Sequence, residues 1–395
     1  MTIGLSWQEV ISQSNVLKAI DSIHQARTRN DSANAVCLVF QGGGMLGIAH
    51  VGALYALEQL GKSVYQVAGT SAGAIMATLV AAANANQGSS PVPSLAETVF
   101  ADLASMQPSS FLDRSPNLRR LVTLAGTRPG TWDLTRTVAT AIFPAMRVLR
   151  REYGLHRANT VSSWLDQRLA RHGVHRLSDL RNVNVVTSAL PYGIKVVLPH
   201  HAHIFDIHTD LERPSLWVRA SMAIPLVFTP VELPLKPVEW RNYCENECKD
   251  MLSQHQLAEL SQARSMLFFD GGLFSNLPVD LYHDETPTIT IALYSSKSSI
   301  RGPSPLRSKR RLFRHLTELV HAMRGLRDFE ARHARTRAKT NDTIWIDTQD
   351  AGWLNFTDAP AFAASLFACG VQGVANWLNK RPDPARHHEP GSDAS

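Results

Sequence analysis

The stretch Val67-Ala68-Gly69-Thr70-Ser71-Ala72-Gly73-Ala74-Ile75-Met76-Ala77 places the tightest demand on the fold. A short apolar run, a serine with Gly69 and Gly73 two residues to either side, and an apolar small-residue helix read as strand, sharp turn and helix. A turn this sharp brings strand and helix close together, so the flanking positions need glycine. It also pushes one hydroxyl clear of the backbone, beside the N–H groups and positive dipole end of the new helix. Ser71 is the first candidate nucleophile, and Gly69 and Gly73 form its elbow.

One strand earlier the chain makes a second junction of the same kind. Ala35 to Phe40 is a continuous apolar run, as in a strand buried on both faces of a parallel sheet. Gln41-Gly42-Gly43-Gly44-Met45-Leu46-Gly47 follows, and Ile48 to Leu60 has helical periodicity. The repeated strand-loop-helix order predicts an α/β fold, a three-layer α/β/α sandwich on a mainly parallel sheet. The loop fits the G-x-G-x-x-G pattern of a dinucleotide site, which expects an acid at the end of the next strand. That strand ends instead in Gly69-Thr70-Ser71. Gly42, Gly43 and Gly44 are better read as an oxyanion hole, their N–H groups free to converge on one oxygen.

A third motif lies 199 positions after Ser71. Met266-Leu267-Phe268-Phe269 reads as a strand running into Asp270-Gly271-Gly272. Alone this is an Asx-turn. Beside a serine elbow, Asp270 could sit at the carboxyl edge of the sheet that carries Ser71.

In this order the three motifs resemble the patatin-like phospholipases. Arg219-Ala220-Ser221-Met222-Ala223-Ile224-Pro225-Leu226-Val227-Phe228-Thr229-Pro230-Val231 and Asn276-Leu277-Pro278-Val279 resemble that family's flanking signatures. The resemblance covers about residues 36–350. It implies a Ser-Asp dyad without a histidine: Ser71 as nucleophile, Asp270 as base, and the N–H groups of Gly43 and Gly44 as oxyanion donors. It implies acyl esters of phospholipids or lysophospholipids as substrates, transient contact with a membrane surface, and no metal or cofactor. The chain departs from the family at Leu46, where the glycine loop usually carries Arg or Lys. That departure supports an alternative, a catalytically silent patatin fold acting as a membrane-surface or partner-binding module. A Ser-Asp-His α/β-hydrolase would need a late histidine; His315, His321 and His333 fall on or beside a basic helix, and His283 just after the third motif.

The remaining chain is read as an N-terminal helical extension over 1–34, a catalytic domain over 35–350, a C-terminal helix over 351–379 and a disordered tail over 380–395. The domain includes a helical, Arg-rich cap at about 95–155. A polar insertion is expected at 233–265, strands at 184–190 and 195–198, and a basic helix at 306–339. Between Arg301 and Thr340 there are 12 Lys/Arg against 3 Asp/Glu. The other 28 basic and 31 acidic residues nearly cancel, so the basicity belongs to one segment. That segment has an apolar stripe and few aromatics, which fits a helix on the sheet or on anionic lipid and not a nucleic-acid surface. His200, His201, His203 and His208 lack metal-ligand spacing. Cys244 and Cys248 are read as free thiols. No apolar run reaches the roughly 18 residues that span a bilayer, and the N-terminus has no secretory pattern. With four cysteines out of any framework spacing, a cytoplasmic protein, peripheral at the membrane, is expected. No feature sets an oligomeric state.

Overall fold

The structure, a computed structural model, describes residues 4–27, 34–86, 93–126, 143–190, 193–249, 253–282, 287–296, 341–349, 351 and 359–380. The expected basic helix 306–339, the cap residues 127–142 and the tail beyond 380 lie outside the described residues.

Ten strands are present among the described residues: β1 (Ala35–Phe40), β2 (Ser63–Thr70), β3 (Gly154–His156), β4 (Val183–Leu190), β5 (Ile194–Leu198), β6 (Leu226–Phe228), β7 (Val231–Pro234), β8 (Ser265–Asp270), β9 (Thr288–Tyr294) and β10 (Asn341–Asp347). Eight form one mixed sheet flanked by helices, the α/β architecture expected. Its parallel part runs β10-β9-β1-β2-β4. β5 and β8 run antiparallel to β4, and β7 runs antiparallel to β8. The connection from Leu190 to Ile194 is too short for a parallel crossover, so β4 and β5 can only close as a hairpin.

The pairing of β4 decides where the site lies. β5 occupies one edge, facing Val185 to Ala189. Along the other edge two strands succeed one another. β2 pairs with Val183 to Val186, ending at Thr70 opposite Val186. β8 comes from the opposite direction and pairs with Leu190 back to Thr187, ending at Asp270. The carboxyl ends of β2 and β8 therefore meet head to head, at adjacent residues of β4.

Helix Ala72–Ala85 is apolar all round and buried from Ala72 to Ala83, as a helix without a polar face must be. Helix Ile48–Gln59 is similarly buried. These two follow successive parallel strands, so right-handed crossovers set them on one face, and both pack on helix Leu95–Ala104. The C-terminal helix Ala359–Lys380 packs along Ile48–Gln59 and β10. From Ala361 to Asn379 it is long and apolar enough to cross a membrane by length and composition, more than the sequence reading allowed. Here its apolar residues, among them Phe367, Val371 and Val374, are buried in the core. The N-terminal extension joins the same core: Trp7 packs between Tyr55, Phe100 and Phe367 at 5.3, 5.5 and 5.7 Å. The expected insertion 233–265 is a helical excursion between β7 and β8. It is anchored by buried Trp240, whose Nε1 donates to the Leu260 carbonyl at 2.8 Å.

Candidate active site

Ser71 is the residue on which β2 turns into its helix. Its backbone has φ 55° and ψ −118°, a conformation that a non-glycine residue adopts only when its surroundings force it. Those surroundings are close-packed backbone. A Cβ on Gly69 would lie 2.1 Å from the Gly73 carbonyl oxygen, and one on Gly73 would lie 2.2 Å from that of Phe40. The Ser71 N–H donates to Ser221 Oγ at 2.8 Å, and Ser221 Oγ donates to the Val186 carbonyl at 2.5 Å. The serine in the signature after Arg219 thus braces the elbow from β4.

The head-to-head meeting of β2 and β8 brings the two candidate side chains together. Ser71 Oγ donates to Asp270 Oδ2 at 2.7 Å, and both residues are buried, 3% and 2% exposed. The other carboxylate oxygen, Oδ1, accepts the Gly272 N–H at 2.8 Å. Asp270 donates its own N–H to the Ala223 carbonyl at 2.9 Å. The chain then crosses β4 at Gly271, where a Cβ would meet the Val186 carbonyl at 2.2 Å. The Asx-turn and the position beside the serine are one arrangement: the turn aims Oδ2 at Ser71.

The glycine loop corrects one expectation. The Gly42 N–H is committed to the Asn276 carbonyl at 3.0 Å, so it is not free to bind an oxyanion. Among the described residues, Gly43 and Gly44 N–H have no backbone acceptor. Gly44 sits at φ 56°, a conformation glycine takes at no steric cost. Leu46 N–H donates to Gly43 O at 3.2 Å, closing a short 3₁₀ turn, and the Leu46 side chain is buried in the core. At the position where the resemblance led one to expect a basic side chain, this chain tucks an apolar one underneath the loop.

Sequence reasoning missed the residue that orients this loop. His50 is fully buried, two turns of chain beyond Gly44, and its Nε2 lies 2.9 Å from the Gln41 carbonyl. A carbonyl can only accept, so Nε2 carries the hydrogen and Nδ1 is bare; it has no partner. Burial pushes the imidazole down to about 4, against the pull of that hydrogen bond, so the ring is neutral at pH 7. Its ring packs edge-on to Phe40 at 5.3 Å. The peptide between Gln41 and Gly42 is pinned at its oxygen by His50 and at its N–H by Asn276, while Gln41 Oε1 accepts from Leu293 N at 2.5 Å. The signal was visible: one histidine in the otherwise apolar run Ile48-Ala49-His50-Val51-Gly52-Ala53-Leu54.

The loop and the elbow share one small apolar pocket of about 30 Å³, walled by Gly44, Met45, Ala72, Ile75, Leu103 and Phe111. Leu103 and Phe111 belong to the cap, which therefore lies against the junctions. Arg219 is half-buried and holds two carbonyls, Arg157 O at 2.9 Å and Thr229 O at 2.5 Å. Burial lowers its guanidinium to about 10.

The other candidates lie elsewhere. His200, His201 and His203 line a separate cavity of about 310 Å³ with Glu239, Tyr243 and Glu247. His201 Nδ1 accepts the Val197 N–H at 3.0 Å, and burial first, then the neighbouring histidines, holds it near 4. No group of three or more His, Cys, Asp or Glu among the described residues could hold a metal. Cys244 and Cys248 are free and buried, and burial pushes Cys244 up to about 12.

Residues 38–282 match the family model described as patatin-like phospholipase. A curated relative, the uncharacterized protein YqhO of Bacillus subtilis (strain 168), is 26% identical over 316 residues, 79% of this chain and 87% of YqhO. Among solved structures, that of VipD from Legionella pneumophila aligns with a TM-score of 0.42 at 14% identity, covering 88% of this chain and 67% of VipD.

Proposed function

This chain belongs to the patatin-like phospholipase family, and on that premise we propose that it is a serine acyl hydrolase that cleaves phospholipid or lysophospholipid esters through Ser71 and Asp270. Family membership speaks for lipid acyl hydrolysis in general. The observation that carries the finer reading is the 2.7 Å hydrogen bond from Ser71 Oγ to Asp270 Oδ2.

Ser71 Oγ attacks the ester carbonyl carbon while its proton passes to Asp270 Oδ2. The carbonyl oxygen becomes an oxyanion, stabilised by the N–H groups of Gly43 and Gly44. When the carbon–oxygen bond to the leaving alcohol breaks, Asp270 returns the proton to that oxygen. Water then attacks the acyl-Ser71 ester while Asp270 takes its proton, the bond from the acyl carbon to Ser71 Oγ breaks, Asp270 returns the proton to that oxygen, and fatty acid leaves with the dyad restored. The walls beside Gly44 and Ala72 are apolar, which suits the first carbons of an acyl group and not a polar head group. No step calls on a metal or organic cofactor, and the substrate is met at a membrane surface.

The test is mass spectrometry of fatty acid released from mixed phospholipid and lysophospholipid vesicles. Wild type releases it, and Ser71→Ala and Asp270→Ala each lower the rate by at least about a thousandfold with the fold intact. Undiminished release by either folded variant refutes the dyad. Labelling by a fluorophosphonate separates this reading from the silent-fold alternative, which predicts a folded protein that resists the probe.

A further inference from the structure

The cap carries a helical stretch over 143–152 whose outer face is built unlike the rest of the described surface. At about 100° per residue, Phe143, Met146, Arg147 and Arg150 fall within an arc of about 100° on the helix circumference, with Arg151 about 40° beyond it. Phe143 is 79% exposed and Met146 48%, and Tyr153, just past the helix end, is 57% exposed. Three of the exposed large hydrophobic residues thus lie within eleven positions. Arg147, Arg150 and Arg151 are exposed beside them. The opposite side faces the protein, with Ala145 buried and Val148 and Leu149 half-buried. The one acid of this helix, Glu152, is half-buried and taken up by two cap arginines: it pairs with Arg114, and its Oε2 lies 3.0 Å from Arg157 Nε. The outer face therefore carries three positive charges, an apolar wedge and no acid.

Water is a poor partner for a phenyl ring and a thioether, and three arginines without an acid repel another cationic surface. An anionic phospholipid surface satisfies both features: acyl chains accept the wedge, and phosphates accept the guanidinium groups. We propose that the 143–153 segment docks the protein on anionic lipid bilayers, with Phe143, Met146 and Tyr153 inserted and Arg147, Arg150 and Arg151 on the phosphates. The surface is coupled to the pocket by covalent and ionic links. Arg114, the partner of Glu152, stands three residues after Phe111, which walls the pocket beside Gly44. The proposal rests on the reading of this site as a lipid ester hydrolase only for its purpose; the docking itself needs no turnover.

The experiment therefore uses the full chain carrying Ser71→Ala, sedimented with phosphatidylcholine vesicles and with vesicles that also contain phosphatidylglycerol. The expected result is binding to the second and little to the first, weakening with added salt. Arg147→Glu, Arg150→Glu and Arg151→Glu together reduce binding by about a hundredfold, and Phe143→Ser with Met146→Ser by at least about tenfold. Arg147→Lys, Arg150→Lys and Arg151→Lys together keep it. In the Ser71 background, each set leaves cleavage of a water-soluble short-chain ester unchanged, which shows the variants folded. Equal binding by the Glu and Ser variants, or no binding of the parent to anionic vesicles, overturns the proposal, and a protein partner would then be the occupant of this face. Absent cleavage of the soluble ester by the wild type would strike at the hydrolase reading and leave the sedimentation result standing.

Discussion

The two strand-to-helix junctions look alike in sequence and are held by different forces. At the elbow the backbone is wedged: the Gly73 carbonyl stands where a Cβ on Gly69 would need to be, and the Phe40 carbonyl where one on Gly73 would, so the turn has one conformation. At the glycine loop there is room. A Cβ on Gly47 would meet nothing within 4 Å, and one on Gly43 would overlap only the movable end of Leu293, with Leu46 Cβ at ordinary contact distance. Its conformation is set instead by hydrogen bonds to the peptide ahead of it, from His50 and to Asn276. A nucleophile needs a fixed position, which close packing supplies. An oxyanion donor needs a fixed direction, which a pinned peptide plane supplies.

The contrast can be broken most forcefully at Gly73. Gly73→Ala drives a methyl into the Phe40 carbonyl, and we expect a loss of about 3 kcal/mol or more, read as the shift in urea midpoint or as failure to fold. A mild effect would mean that the elbow is not wedged.

His50→Leu tests the other mechanism. It removes the donor to Gln41 without adding bulk near Ser71, and kcat for a soluble ester should fall by about ten- to a hundredfold with KM little changed. Equal kcat would show that the loop keeps its direction without the histidine.

The same residue gives the glycine-loop junction a pH dependence of its own. The unfolded imidazole takes a proton near pH 6.5, the folded one only near 4. The unfolded state therefore binds more protons in that window, and stability present above pH 6.5 is lost as pH falls toward 4, by about 3 kcal/mol for this group. His156, buried and also held near 4, acts in the same direction. Urea midpoints measured from pH 7 to 4.5 should fall, and less steeply in His50→Leu.

The smallest effect belongs to Gly47, which has ordinary helical dihedrals. Gly47→Ala should be neutral or raise stability by up to about 1 kcal/mol, through the unfolded chain. A large loss at this position would erase the distinction between the two junctions.

How much was legible follows from the range of each interaction. Both junctions, the apolar helices after them and the Asp270 turn could be read, because each depends on residues within a few positions of one another. The mainly parallel sheet was legible from the successive β1 and β2 units, but the place of β4 beside β2 and the head-to-head meeting of β2 and β8 were not. The fate of Gly42 was equally hidden, since its acceptor, Asn276, lies far along the chain. A lone histidine in an apolar run marked His50 as unusual, but its hold on the Gln41 carbonyl was not legible.

By itself the sequence determined that a serine would stand on a tight turn and that three glycines would follow the preceding strand, because backbone sterics act locally. Only the tertiary structure decided that Asp270 would face that serine and which amides would stay unspent. Strand pairing along β4 and the carbonyls that claim each N–H come from segments far apart in the chain, and they acquire direction only when the whole sheet has closed.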